Sequence, residues 1–168
     1  MAPIALGALL PDVPMLVFYA WQRGVLGTPE SVIWSETYWD AAWQTFFDVP
    51  NSLPLLALAL LAAWRLGAAR AALLFASMAV HAFCDLAVHH DDAHRHFFPL
   101  SDWRFASPVS YWDPAHYGRG FAVFEIGLVL GGCAWLGRRY RERGPRLLVH
   151  GIAAFYLLFI GYALLVWL

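Results

Sequence analysis

The sequence predicts an all-α integral membrane protein, a single helical bundle of about five transmembrane spans with a long His-rich outer loop. Three observations lead there. Of 168 residues, 61% are hydrophobic and only 14% are charged, a composition outside the range of ordinary soluble domains. Apolar runs recur near the roughly 20-residue length that a hydrocarbon core of about 30 Å requires. All eleven cationic residues are arginines, and seven of them (Arg65, Arg70, Arg138, Arg139, Arg141, Arg143 and Arg146) cluster in the turns after the second and fourth runs. The length suits one domain over residues 1–168. A net charge of −1 gives no electrostatic footprint for nucleic acid.

The first span, Pro3 to Trp21, is interrupted at "LLPDVP", where Pro11 and Pro14 flank Asp12. It lacks a basic leader and a small-residue cleavage site, so it reads as a retained span and not as a signal peptide. The segment from Arg23 to Ser52 follows. In it, Tyr38, Ala42 and Phe46 repeat at helical spacing among several Trp residues, which predicts a short helix lying at the interface and capping the bundle on one side. Leu53 to Leu66 forms a short second span, and Ala69 to Val88 a full-length third.

The loop from Asp91 to His116 is long, with three prolines and many rings in no periodic order. Its rings are expected to pack on the bundle mouth as a lid or substrate rim. Tyr117 to Leu136 and Leu147 to Leu168 complete the set of spans. Cys84 and Cys133 sit in apolar runs at no metal-binding or redox spacing, and read as packed thiols. The arginine distribution places the N-terminus in the cytoplasm and the His-rich loop outside, and the run "GRRYRERGPR" reads as the topology signal that sets this orientation.

Residues 81–97, "HAFCDLAVHHDDAHRHF", hold five of the seven histidines and three aspartates. His81, Asp85 and His89 fall at i, i+4 and i+8, on one helix face with a rise of about 6 Å per step. Imidazole and carboxylate are both normal ligands for zinc or another first-row divalent metal, and a helix fixes their separation before the metal arrives. His90, Asp91, Asp92, His94 and His96 continue the supply into the loop. Asp12, Asp48 and Glu125 come from three other segments. Ionisable groups at membrane depth are costly unless paired, metal-bound or wet, and mark functional sites. The five-span topology directs all three toward His81.

Each of these residues also has a plainer reading. A buried His–carboxylate pair can simply fix helix packing, and Glu125 can satisfy Arg119 or a Trp N–H. Asp113 and His116, one turn apart, form another acid–base or ligand pair, and His150 reads as an interface residue. Arg95, Arg104 and Arg119 offer guanidinium forks for a phosphate or carboxylate, or pair with Asp91, Asp92 or Asp102.

The order "GALLPDVP", "DVPNSLPLL", "HAFCD" and "HFFPLSDW", over roughly residues 5–100, resembles the bacterial membrane-bound metal-dependent hydrolases. These are small inner-membrane proteins with LPD and H-x3-D elements, some of them labelled as cobalamin-biosynthesis proteins. The resemblance implies Asp12, His81 and Asp85 as metal ligands. Its middle element, usually His-containing, reads Asp48, Asn51 and Ser52 in this chain, so replacement nitrogens would come from His89, His90, His94 or His96.

The resulting expectation is an inner-membrane hydrolase. Asp12, His81, Asp85 and His89 or His90 hold the divalent metal, zinc in the first instance, and Asp92, Asp48 or Glu125 serves as acid–base group. The expected substrate is lipid-like or phosphorylated and lies near the outer leaflet. The competing expectation is a non-enzymatic accessory subunit or assembly factor, whose polar or metal cluster is structural and whose aromatics meet membrane lipids and partner helices.

Overall fold

The computed structural model describes residues 1–167, the side chains of residues 163, 164, 166 and 167 excepted. The chain is 75% helical, and no strand occurs among the described residues. The fold is an all-α helix bundle whose contacts divide into two compact units, Met1–Val109 and Ser110–Leu168. The expected end of the last span, Leu168, lies outside the described residues.

The first unit opens with α1 (Ala2–Leu9), a 3₁₀ turn at Leu10–Asp12, α2 (Val13–Tyr19) and a π-helical turn at Ala20–Val25. Pro11 and Pro14 lack amide hydrogens and their rings crowd the preceding turn, so the regular i→i−4 ladder cannot run through them. The chain tightens there without breaking, and Ala2–Val25 remains one apolar stretch of 24 residues.

The Trp-rich segment differs from the single interfacial helix expected. It comprises α3 (Glu30–Ser35), a 3₁₀ turn at Thr37–Trp39 and α4 (Ala41–Asn51). Asp40 is extended, with ψ 133°, and its carboxylate accepts the Ala42 amide at 2.9 Å to cap α4. That extended residue resets the helical phase between Tyr38 and Ala42. Tyr38 and Phe47 therefore turn inward, while Phe46 stays 44% exposed. Phe18 is fully buried at the centre of the cluster, with edge-on contacts to Trp43 and Phe47 at centroid distances of 5.1 and 5.4 Å. Phe18→Ala is expected to destabilise the unit by about 3–5 kcal/mol, read as a lower unfolding midpoint in detergent. An unchanged midpoint would show that these rings are not a core.

Ser52, extended with ψ 111°, separates α4 from α5 (Leu53–Arg65), and its Oγ accepts the Leu55 amide at 3.2 Å to cap the new helix. The thirteen residues of α5 span only about 20 Å, short of a bilayer core. Joined to α4 across a 42° bend, they make a pair long and apolar enough to cross. Counted as one broken span, the second crossing would draw on α4 as well as on α5.

The full-length α6 (Ala69–Val88) packs on both α5 and α1. A Cβ on Gly7 would lie 2.7 Å from Ser77 Cβ and collide with the Leu74 carbonyl oxygen, so the α1–α6 approach depends on glycine. Leu56, Met78 and Ala82 form the buried core beside it.

The second unit begins with a compact turn. Ser110 Oγ accepts the Asp113 amide at 3.1 Å, Asp113 caps a 3₁₀ turn at Pro114–His116, and Tyr117 is left-handed with φ 63°. Gly118 follows, where a Cβ would lie 2.7 Å from the Asp113 carbonyl oxygen. Then α7 (Gly118–Arg139) packs on α8 (Arg143–Trp167).

Four segments are long and apolar enough to cross a membrane: Ala2–Val25, Ala69–Val88, Gly118–Arg139 and Arg143–Tyr162. The bent α4–α5 pair brings the number to five if it is counted as one span. Their outward faces are apolar, as at Leu16, Leu58, Val123 and Leu158, which suits lipid and would be a liability in water. The chain is a multi-pass helical membrane protein.

Candidate metal centre

Helical periodicity sets out the first part of the site. Ser77, His81 and Asp85 follow at four-residue steps along α6. Ser77 Oγ donates to the Ile4 carbonyl at 2.8 Å, and His81 Nδ1 donates to the Ala8 carbonyl at 2.9 Å. The His81 ring turns Nε2 toward two carboxylates, Asp85 at 2.9 Å and Asp12 at 3.5 Å, and since both of its nitrogens face acceptors, it donates to them as an imidazolium protonated on Nδ1 and Nε2. Pro11 explains the first-span partner, because the tightened turn places Asp12 over α6.

At the end of α6, His89 is extended (φ −105°, ψ 126°) and the chain doubles back. The return brings His94 to Asp85 and His89. One donor atom from each of these three residues lies within 4.8 Å of the others. Asp85 and His89 are half-buried and His94 is buried.

Polar groups hold the returning loop. Ser107 donates its amide to His89 O at 2.9 Å and its hydroxyl to Ala87 O at 2.6 Å, while His90 Nδ1 donates to Ser107 O at 2.6 Å. Leu53 N donates to His96 O at 2.9 Å, Ser52 Oγ to Phe98 O, and Arg104 Nη1 to Ala93 O. The rings expected to clamp the loop, Phe97, Trp103 and Phe105, touch one another at 5.8 Å yet stay exposed. Burying irregular backbone demands partners for its amides and carbonyls, and rings cannot supply them.

Asp48 is the anchor of this arrangement. Fully buried, it accepts the Arg95 amide at 2.9 Å on one oxygen and Arg95 Nε at 2.5 Å on the other. His94 Nδ1 stands 3.6 Å away and Arg104 Nη2 3.7 Å. Arg95 continues to Asp102 at 2.8 Å and Thr45 at 2.9 Å, and Arg104 to Gln44 at 3.0 Å. Asn51, also buried, donates to Phe47 O at 3.0 Å and Pro11 O at 3.5 Å, linking α4 to the first span.

The predicted residues therefore fall into distinct places. Asp85 and His89 stand in the three-donor group. Asp12 and His81 form the chain leading into Asp85. His90 is turned to the Ser107 carbonyl, and Asp92 lies 3.0 Å from His89 Nδ1. Glu125 belongs to the second unit, where it accepts the Tyr156 hydroxyl at 2.6 Å, and His116 meets Asp113 at 2.7 Å in the same unit. His94 was only one of several replacement nitrogens in the sequence. The contacts of Asp48 with the loop were not foreseen at all, although three polar residues in "DVPNS" beside apolar runs signalled a buried polar element.

The electrostatics follow the geometry. Burial works against charging His89, but its hydrogen bond to the Asp92 carboxylate and the charges of Asp92, Asp85 and Asp12 outweigh it and raise its pKa. His96, 1% exposed, is pushed down to about 4 by burial and by neighbouring His94. Its Nδ1 donates to His94 O at 3.1 Å, which leaves a lone pair on Nε2. That nitrogen is buried and has no hydrogen-bond partner among the described residues.

The donors fit a divalent transition metal. Two imidazoles and one carboxylate are a normal three-ligand set that leaves a position open. The ligands are also braced from behind, His89 by Asp92 and Asp85 by His81, as metal-binding side chains usually are. Comparison with protein-family models, curated proteins and solved structures finds no match to this chain.

Proposed function

We propose that Asp85, His89 and His94 hold a divalent metal, zinc or another first-row ion, and that the protein is a metal-dependent hydrolase of the bacterial inner membrane. The observation that carries the reading is the convergence of the three donor atoms to within 4.8 Å. The metal would supply a lowered pKa for a coordinated water and polarisation of a phosphoryl or carbonyl oxygen.

The chain's own groups orient and insulate the site. Asp92 holds the His89 ring by Nδ1, which leaves Nε2 as the ligating nitrogen. Asp12 and Asp85 share His81 Nε2, so the first span is coupled to the ligand carboxylate. Asp48 is occupied by Arg95 on both oxygens, which favours an anchoring role over that of a base. The N-terminus is cytoplasmic in this reading, because the arginine-rich turns lie inside and the His-rich loop outside. A site at the outer end of α6 suits a lipid-like or phosphorylated amphiphile.

The test is hydrolysis of phosphate-ester and acyl-ester lipid analogues in mixed micelles. Activity is expected to vanish on chelation and return with zinc or another divalent ion. Turnover that survives chelation, or no turnover of either ester class by metal-loaded protein, contradicts the hydrolase reading.

One observation favours a second reading, a structural metal or polar cluster in an accessory subunit. The loop is tied to α4, α5 and α6 by a continuous hydrogen-bond network. In that case metal removal would lower the unfolding midpoint, no hydrolysis would be detected, and the protein would co-purify with a partner at fixed stoichiometry.

A further inference from the structure

We propose that the groove between the arginine-rich ends of α7 and α8 binds the phosphate headgroup of an anionic phospholipid. The groove, of about 370 Å³, has Leu130 and Ala153 toward the apolar part of the helices and Arg138, Arg146 and His150 toward their ends. Both arginines and His150 are exposed, so they can reach a ligand.

Charge at this end is one-sided. Arg138, Arg139, Arg141, Arg143 and Arg146 face a single carboxylate in sequence, Glu142, the only acidic residue after Glu125. None of the five makes an ion pair among the described residues. Arg138 spends one donor weakly on Ala134 O at 3.4 Å, and its remaining donors are available for an anion. A topology signal needs only positive charge near a span end. It does not need a cavity lined by two arginines and a histidine.

Gly137 lines the floor beside His150, and a Cβ there would stand 3.6 Å from His150 Nε2, in ordinary contact with it. The placement selects a lipid over other phosphates. The groove lies where two membrane-crossing helices end, so acyl chains can run down the apolar flank while the headgroup meets the arginines. Basic pockets of this kind between spans are where anionic headgroups bind.

The test is native mass spectrometry of the full chain in detergent, offered equal amounts of phosphatidylglycerol and phosphatidylcholine with identical acyl chains. Wild type is expected to retain one phosphatidylglycerol in preference. Each groove arginine contributes about fivefold, so the double variant Arg138→Gln, Arg146→Gln should fall near parity. The double variant Arg139→Gln, Arg141→Gln removes the same charge outside the groove and should keep the preference. Gly137→Leu, which fills the floor and alters no charge, should lose it, with size-exclusion elution confirming the fold. Equal loss in the two double variants, an unchanged preference in Arg138→Gln, Arg146→Gln, or displacement of the lipid by millimolar inorganic phosphate overturns the proposal.

Discussion

Asp85→Asn is expected to lower the metal affinity of the purified protein by more than the 10–100-fold that changes behind a ligand cost. Asp85 supplies the one anionic donor of the group, and the amide that replaces it carries no charge and is a poor ligand for first-row metals. His81→Ala gives the informative contrast. His81 Nε2 lies 2.9 Å from Asp85 Oδ2 and its Nδ1 is committed to the Ala8 carbonyl. It therefore orients the ligand carboxylate, and its loss is expected to cost about 10–100-fold. Competition titration against a chromogenic chelator separates the two. If His81→Ala lost as much affinity as Asp85→Asn, His81 would be a ligand, as the resemblance to membrane-bound hydrolases implies.

Asp48→Asn is expected to be among the most damaging single substitutions for stability, on the scale of Phe18→Ala. Asp48 is fully buried, and its removal leaves the Arg95 guanidinium, 17% exposed in its side chain, short of its principal counter-charge. Breaking a buried pair from one side costs about 3–5 kcal/mol. The loss should be local first, because the loop hangs on this carboxylate through the Arg95 amide as well as the side chain. Trypsin should then cut after Arg95 and Arg104 in the variant while the wild-type loop resists. Adding Arg95→Gln to Asp48→Asn should recover part of the midpoint by removing the stranded charge. Wild-type trypsin resistance in Asp48→Asn would mean that the loop is held by something else.

The parts of this structure that follow from local geometry were legible in the sequence. Run length alone marks Ala69–Val88 and Gly118–Arg139 as spans, and four-residue spacing puts His81 and Asp85 on one face because a helix repeats every 3.6 residues. Leu53–Leu66 alone is short for a span; Ser52 ends one helix and caps the next, so α4 and α5 together, across a 42° bend, reach a length that could cross, where composition divides them at the proline-rich "DVPNSLP". The Tyr38–Phe46 stripe failed at one extended residue, Asp40, which shifts the helical phase.

The site was legible in the same proportion. Asp85 and His89 are close in sequence and joined by helix. His94 reaches them only because Asp48, 46 positions earlier, fixes the neighbouring Arg95, and no periodicity encodes that pairing. The histidine count announced a cluster, but the path of the loop decides which rings face inward, and that path is set by buried backbone partners at Ser52, Arg104 and Ser107. Glu125 is a carboxylate at membrane depth whose plainer reading, a hydrogen-bonded partner, has a concrete counterpart in the tyrosine on the adjacent helix of its own unit.

In the proposed site, Asp85, His89 and His94 bind one divalent metal. The most direct measurement is the metal content of wild-type protein purified in detergent without chelator and re-equilibrated with divalent ions, read by elemental analysis with X-ray absorption at the metal edge. Expected are one tightly held metal per chain with nitrogen and oxygen neighbours at about 2.0–2.2 Å, the multiple-scattering signature of two imidazoles, and loss of the metal in Asp85→Asn. Metal no higher in wild type than in the variant lacking all three donors, or a bound metal whose spectrum shows no imidazole, would contradict it.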